Sequence, residues 1–308
     1  MQYLLLIIGF AFLIKGADAF VDGAVSVAYK FHISTTIVGL TIVALGTSLP
    51  EAAVSISASL AGKNALAISN VVGSNIFNTL VVVGTSALIA PFVINREVIR
   101  RDLPVNIACT AVLLFMIWKL SLNQIDGLIL LICLAAYIGL LIWNVKKNPV
   151  QETEEEERKI LPNWKTALFI VLGAAAIIFG GNITVNAASA IAQSLGMSET
   201  LVGLTVVSVG TSLPELITSV VAARKGESGL SIGNAIGSNI MNILFILGSS
   251  SFIRPLNANL ENVADAALLG VIAVSMYLLS RISPRLGRFK GLLMIGAYCV
   301  YLVYIIVR

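Results

Sequence analysis

The sequence predicts an all-α polytopic membrane protein, with about ten transmembrane helices forming two inverted-topology five-helix repeats and broken helices at the centre. Three observations predict it. Hydrophobic residues make up 57% of the 308-residue chain and charged residues only 12%, whereas a soluble domain carries roughly a quarter charged residues. The charge is clustered, leaving apolar runs of about 20 residues or more, the length a helix needs to cross roughly 30 Å of hydrocarbon. Finally, residues 41–92 recur as residues 205–256, without a gap, at an offset of 164.

Dividing the chain at its polar breaks gives candidate spans at 2–29, 34–61, 65–91, 102–120, 125–145, 165–193, 199–223, 229–254, 263–281 and 289–307. The first opens Met1-Gln2-Tyr3 with no basic segment ahead of its apolar run, so it reads as a span and not a cleaved signal. Only the break at 146–165 is substantial. It holds the run Glu154-Glu155-Glu156-Glu157 and reads as a short, solvated cytoplasmic linker. The expected organisation is therefore a first repeat over 1–145, the linker 146–165, and a second repeat over 166–308.

Orientation follows from the basic residues. Breaks after odd-numbered spans hold 15 of them, whereas the opposite side holds only Lys63, Lys119, Arg254 and Arg308. Positive charge stays in the cytoplasm, so both termini are expected to be extracytoplasmic in a multi-pass plasma (inner) membrane protein. The net charge of +4 lies in these loops without interleaved aromatics, which excludes nucleic acid as the expected partner and leaves the bilayer. Cys109, Cys133 and Cys299 sit in apolar runs without CxxC spacing, and His32 is the only histidine. Thiolate or imidazole metal chemistry is excluded on those grounds.

The duplication is specific. Of 52 aligned positions 24 are identical, and many of the matches are Gly, Thr, Ser, Pro, Glu and Asn, which a lipid-facing helix has no reason to retain. Five spans separate equivalent helices, an odd number, so the second copy enters the membrane upside down. Inverted repeats are typical of secondary transporters, whose substrate site lies near the midplane where the repeats meet.

Gly46-Thr47-Ser48-Leu49-Pro50-Glu51 recurs as Gly210-Thr211-Ser212-Leu213-Pro214-Glu215. The proline cannot donate to the carbonyl four residues earlier, so the helix must break in mid-span. In lipid, freed carbonyls are tolerated only where they line a cavity or are buried in protein. Glu51 and Glu215 are the costliest residues of the chain, since carboxylates are expensive inside a bilayer. A kink explains the prolines but not the glutamates; a cation held between them explains both. The second motif, Gly73-Ser74-Asn75-Ile76-Phe77-Asn78, recurs as Gly237-Ser238-Asn239-Ile240-Met241-Asn242. Ser74 and Asn78 are four residues apart and share a helix face. Carboxylate, carbonyl, hydroxyl and amide oxygens on flexible helix breaks suit Ca²⁺ better than Mg²⁺, which demands a tight octahedron. Na⁺ is of similar size to Ca²⁺.

These paired GTSLPE and GSN-x-x-N motifs resemble the two α-repeats of the Ca²⁺/cation antiporter superfamily, most closely its archaeal and bacterial Na⁺/Ca²⁺ exchangers, over essentially the whole chain. The resemblance implies Thr47, Glu51, Thr211 and Glu215 as Ca²⁺ ligands. It implies Na⁺ sites at Ser48, Ser74, Asn78, Ser212 and Ser238, with the backbone carbonyls of Ala44 and Ser208. Asn242 stands at the centre where several related exchangers have Asp. That leaves Glu51 and Glu215 as the expected anions of the site and argues against K⁺ co-transport. By the same analogy three Na⁺ exchange for one Ca²⁺.

The expected function is electrogenic Na⁺/Ca²⁺ antiport by alternating access, with Na⁺ and Ca²⁺ as substrates, no cofactor, and a monomer as the working unit. A Ca²⁺/H⁺ antiporter using the two glutamates as proton acceptors is the alternative within transport, and a Ca²⁺-permeable channel is the alternative from another class. No nucleophile–base pair points to an enzyme. Lys15, Asp18 and Asp22 are spaced to pair along the first span, and Asp126 and Asp265 are expected near span ends.

Overall fold

The computed structural model describes residues 1–147, 160–197, 206 and 208–307. The acidic run 154–157 and the start of the expected span 199–223 lie outside the described residues. Among them, the chain forms helices α1 (Gln2–Lys30), α2 (Thr35–Thr47), α3 (Leu49–Leu60), α4 (Asn64–Ile89), α5 (Leu103–Ile117), α6 (Gln124–Lys147), α7 (Asn163–Ser194), α8 (Ser208–Thr211), α9 (Leu213–Arg224), α10 (Ser228–Ile253), α11 (Leu260–Ile282) and α12 (Arg288–Val307).

Seven of these helices are long and apolar enough to cross a membrane, and the bent pair α2–α3 makes an eighth span. The expected span at 102–120 is shorter than anticipated. Its α-helical part stops at Ile117 and is preceded by a π-helical turn, Val98–Asp102, rich in charge. The partition of residue types suits a bilayer. Phe115 and Ile282 are each 83% exposed on the outside, whereas Glu51 and Glu215 are wholly covered inside.

Helices α4 and α10 form the centre, with 78% and 94% of their apolar stretches covered by protein, against 11% for α12. In front of them, α1 packs along α7. Small residues allow the close approach: a Cβ on Gly9 would lie 3.0 Å from the Gly180 carbonyl, and one on Gly16 would lie 3.0 Å from that of Gly173. Gly23 meets Ile170, so partner numbers fall as α1 numbers rise and the two helices run antiparallel. Since α1 and α7 are equivalent at the 164-residue offset, the two copies of this helix have opposite directions.

Two short antiparallel ladders tie the ends. Strand β1 (Phe92–Val93) pairs with β4 (Arg285–Leu286), and β2 (Ser121–Leu122) with β3 (Leu256–Asn257). Adding 164 to β1 and β2 gives β3 and β4, so each ladder is the other's symmetry mate. This detail is absent from a purely helical expectation.

Candidate ion-binding site

Pro50 and Pro214 have no N–H to offer the carbonyls of Gly46 and Gly210. The backbone leaves the helical path just before each restart, at Ser48 (φ −83°, ψ 5°) and Ser212 (φ −95°, ψ 6°). Helices α2 and α3 consequently meet at 49°. Each restart places its glutamate, Glu51 or Glu215, in a new first turn. There the unpaired backbone N–H groups and the helix dipole favour a carboxylate.

Each carboxylate is bonded by a hydroxyl of the other repeat. Ser48 Oγ donates to Glu215 Oε1 at 3.0 Å, and Ser212 Oγ donates to Glu51 Oε1 at 3.1 Å. The second oxygens, Glu51 Oε2 and Glu215 Oε2, have no donor among the described residues. The threonines also reach across: Thr47 Oγ1 donates to Asn234 Oδ1 at 3.1 Å, and Thr211 Oγ1 meets Asn70 Oδ1 at 3.5 Å.

Asn70 and Asn234 join this network, although sequence reasoning passed over them. Asn70 Nδ2 donates to Ser55 Oγ at 2.9 Å and lies 3.5 Å from the Glu51 carbonyl; Asn234 Nδ2 donates to Ser219 Oγ at 2.9 Å and to the Glu215 carbonyl at 3.3 Å. Each therefore brackets the glutamate helix of its own repeat while receiving a threonine of the other. The signal was present: both are asparagines inside apolar spans, identical at the 164-residue offset.

The second motif lies on α4 and α10, which pack against the glutamate helices α3 and α9. Asn78 and Asn242 each open a π-helical turn, Asn78–Val82 and Asn242–Leu247, a distortion frequent at functional sites. Ser74 Oγ, Ser238 Oγ, both amide atoms of Asn78 and Oδ1 of Asn242 are buried without a hydrogen-bond partner among the described residues. Leaving a buried polar group unmade costs about 1–3 kcal/mol. Like the two free carboxylate oxygens, the serine hydroxyl and asparagine amide oxygens among them are of the donor type that a dehydrated hard cation requires. Among the described residues no three His, Cys, Asp or Glu side chains are grouped to hold a metal; the cluster has two carboxylates and otherwise neutral oxygens.

Two backbone positions stand differently. The Ala44 carbonyl accepts the Ser48 N–H at 3.0 Å and lies 3.4 Å from the Thr47 hydroxyl, so in this conformation it is engaged within its own helix. Ser208 opens α8. Outside the cluster, Asp18 and Asp22 do not pair with Lys15. Both bond instead to Lys225, at 2.7 and 2.6 Å, at the end of α9, because packing of α1 beside α9 brings that cation within reach. Asp126 caps the start of α6 and pairs with Lys119 at 2.7 Å.

The sodium/calcium exchanger protein family model matches residues 1–144 and 165–307. The chain belongs to the sodium/calcium exchanger family. It is 32% identical to the sodium/calcium exchanger MaX1 of Methanosarcina acetivorans, the match covering 98% of this chain and 97% of that one. It is 34% identical to the inner membrane protein YrbG of Escherichia coli (strain K12), with 97% and 94% covered. Among solved structures it resembles the sodium–calcium exchanger NCX_Mj soaked with 2.5 mM Na⁺ and 0.1 mM Ca²⁺. That match has a TM-score of 0.84 at 31% identity and covers 98% of this chain and 97% of that one. This exchanger-family chain is accordingly a multi-pass, ion-transporting membrane protein.

Proposed function

We propose that the protein is an electrogenic antiporter that admits Na⁺ and expels Ca²⁺ across the inner membrane by alternating access, working as a monomer with both termini outside the cytoplasm. The observation that supports this most is the reciprocal pair of buried carboxylates, each held by the other repeat's serine and each with one oxygen left without a donor. Ca²⁺ lies between Glu51 and Glu215, whose two charges it neutralises, with Thr47 and Thr211 alongside. Na⁺ occupies positions around Ser48, Ser74, Asn78, Ser212, Ser238 and Asn242, with the carbonyls of Ala44 and Ser208.

This arrangement gives a physical reason for exchange. Two like charges roughly 4 Å apart repel by about 4 kcal/mol at an effective dielectric near 20. A closed site without cations is therefore costly, and the carrier crosses only when loaded. The glycine-lined pair α1–α7 slides as one body over the core to expose the site to either side in turn. Three Na⁺ per Ca²⁺ moves net charge.

The test is uptake of radiolabelled Ca²⁺ into proteoliposomes loaded with Na⁺, against vesicles loaded with K⁺ or given only a pH gradient. Uptake that requires internal Na⁺ and responds to membrane potential is the expected result. Uptake driven equally by a pH gradient assigns proton coupling instead, and uptake without any counter-ion assigns a channel.

A further inference from the structure

The two repeats are not equivalent at their central asparagines. Asn75 Nδ2 donates to the Asn239 carbonyl at 3.1 Å, which fixes that amide's orientation, and Asn75 Oδ1 accepts from Asn242 Nδ2 at 3.0 Å. Asn242 is therefore held by its nitrogen, and its Oδ1 has no partner among the described residues. Twofold symmetry would require the mirror set, with Asn239 Nδ2 on the Asn75 carbonyl and Asn78 Nδ2 on Asn239 Oδ1.

Neither mirror bond forms, and a single side chain explains both losses. The Asn75 carbonyl already accepts the Asn78 N–H, and the Thr79 hydroxyl gives its one proton to the same oxygen at 2.9 Å, filling the second lone pair that Asn239 would use. With its proton so committed, Thr79 Oγ1 accepts from Asn239 Nδ2, also at 2.9 Å. Asn239 Oδ1 and both amide atoms of Asn78 are left buried and unpartnered among the described residues. The position equivalent to Thr79 is Ile243, which has no hydroxyl to interfere with the other half. Thr79 itself lies one residue beyond the repeated motif, so the motif alone does not expose it.

We infer that Thr79 is a positioning residue that makes the two asparagine ligands unequal: Asn242 presents a fixed amide oxygen, whereas the amide of Asn78 is free to turn. This rests on the Na⁺/Ca²⁺ reading above and deepens it. A ligand held in place by a second contact offers a cation its oxygen without further ordering, while an unheld one is ordered at the cost of binding free energy. The Asn78 side of the site is thus the weaker Na⁺ position and the first to empty. Replacing the hydroxyl lets Asn239 take the Asn75 carbonyl and hold Asn78 by its nitrogen, so both halves present a fixed oxygen.

The experiment compares wild type with Thr79→Val, Thr79→Ala and Thr79→Ser in proteoliposomes. It measures the half-saturating Na⁺ for Na⁺-driven Ca²⁺ uptake and the half-saturating Ca²⁺ for Ca²⁺/Ca²⁺ exchange without Na⁺. Val and Ala are expected to lower the Na⁺ value by about two- to tenfold, the size of one side chain's ordering, and to leave the Ca²⁺ value within about twofold. Ser keeps the hydroxyl and the wild-type values. If Val is not accommodated, Ala decides alone. Wild-type constants in Val and Ala, an equal shift of both constants, or a Ser variant that behaves like Val overturns the role of Thr79 while leaving the exchange reading intact. Absence of Na⁺-driven uptake in the wild type overturns both.

Discussion

The hydroxyl of Ser48 donates to the carboxylate of Glu215 at 3.0 Å, across the boundary between the two repeats. The reciprocal bond, Ser212 to Glu51, is 3.1 Å long. Neither half therefore builds its carboxylate environment alone. A change of relative position between the halves must alter both glutamates at once, which couples the shape of the molecule to the chemistry of its centre.

Replacing Glu51 or Glu215 by Gln keeps the shape and an oxygen for the serine to bond, and removes one charge. Ca²⁺ exchange is expected to fall at least about 30-fold, the equivalent of ~2 kcal/mol and the low end for losing one member of a buried charge pair. The gel-filtration profile in detergent should be unchanged. Near-normal exchange in either variant would sink the shared-carboxylate site.

Asn70→Ala and Asn234→Ala each remove a bracket between a glutamate helix and the opposite threonine. Each is expected to cost about 1–3 kcal/mol of stability, the penalty of leaving buried polar partners unmade. The matched geometry predicts similar losses for the two, read as lowered thermal midpoints in detergent. A neutral substitution at either position would show that the bracket bears no strain of the fold.

Gly180→Ala places a methyl 2.7 Å from the Gly9 carbonyl and 2.8 Å from the Leu13 nitrogen, both backbone atoms that cannot swing aside. The α1–α7 contact must widen, at about 1–3 kcal/mol for overpacking. Gly296→Ala meets nothing within 4 Å and is expected to be neutral, or to stabilise its helix by up to about 1 kcal/mol. Thermal denaturation of the purified variants separates the two; equal midpoints would show that the contact is not tight.

Lys225 ties α9 to Asp18 and Asp22 of α1, and the residues equivalent to these three at the 164-residue offset are Ala61, Asn182 and Asn186, which carry no charge. The tie is one-sided. All three side chains are partly exposed, so Lys225→Ala is expected to cost less than about 1 kcal/mol, and salt should shrink the difference. Melting curves at low and high ionic strength check this. A large, salt-independent loss would show that the lysine acts through its aliphatic stem.

The sequence by itself determined the membrane character, the position of most spans, the duplication and the two polar motifs. Each of these is written in one dimension. Apolar run length reports the bilayer, and a conserved offset of 164 reports equivalence whatever the packing. The antiparallel course of α1 and α7 also follows from their lying five expected spans apart in the chain, an odd step. What only the tertiary structure decided is which side chains meet. Lys225 reaches Asp18 and Asp22, Asn70 receives Thr211, and Thr79 disturbs Asn239, in each case across more than a hundred residues of chain. Such pairings depend on how two packed halves dock to within a hydrogen-bond length, and no local pattern of residues encodes that distance. The difference between Thr79 and Ile243 is plain in the alignment of the repeats, yet its meaning emerges only from the bonds of Thr79 to Asn75 and Asn239.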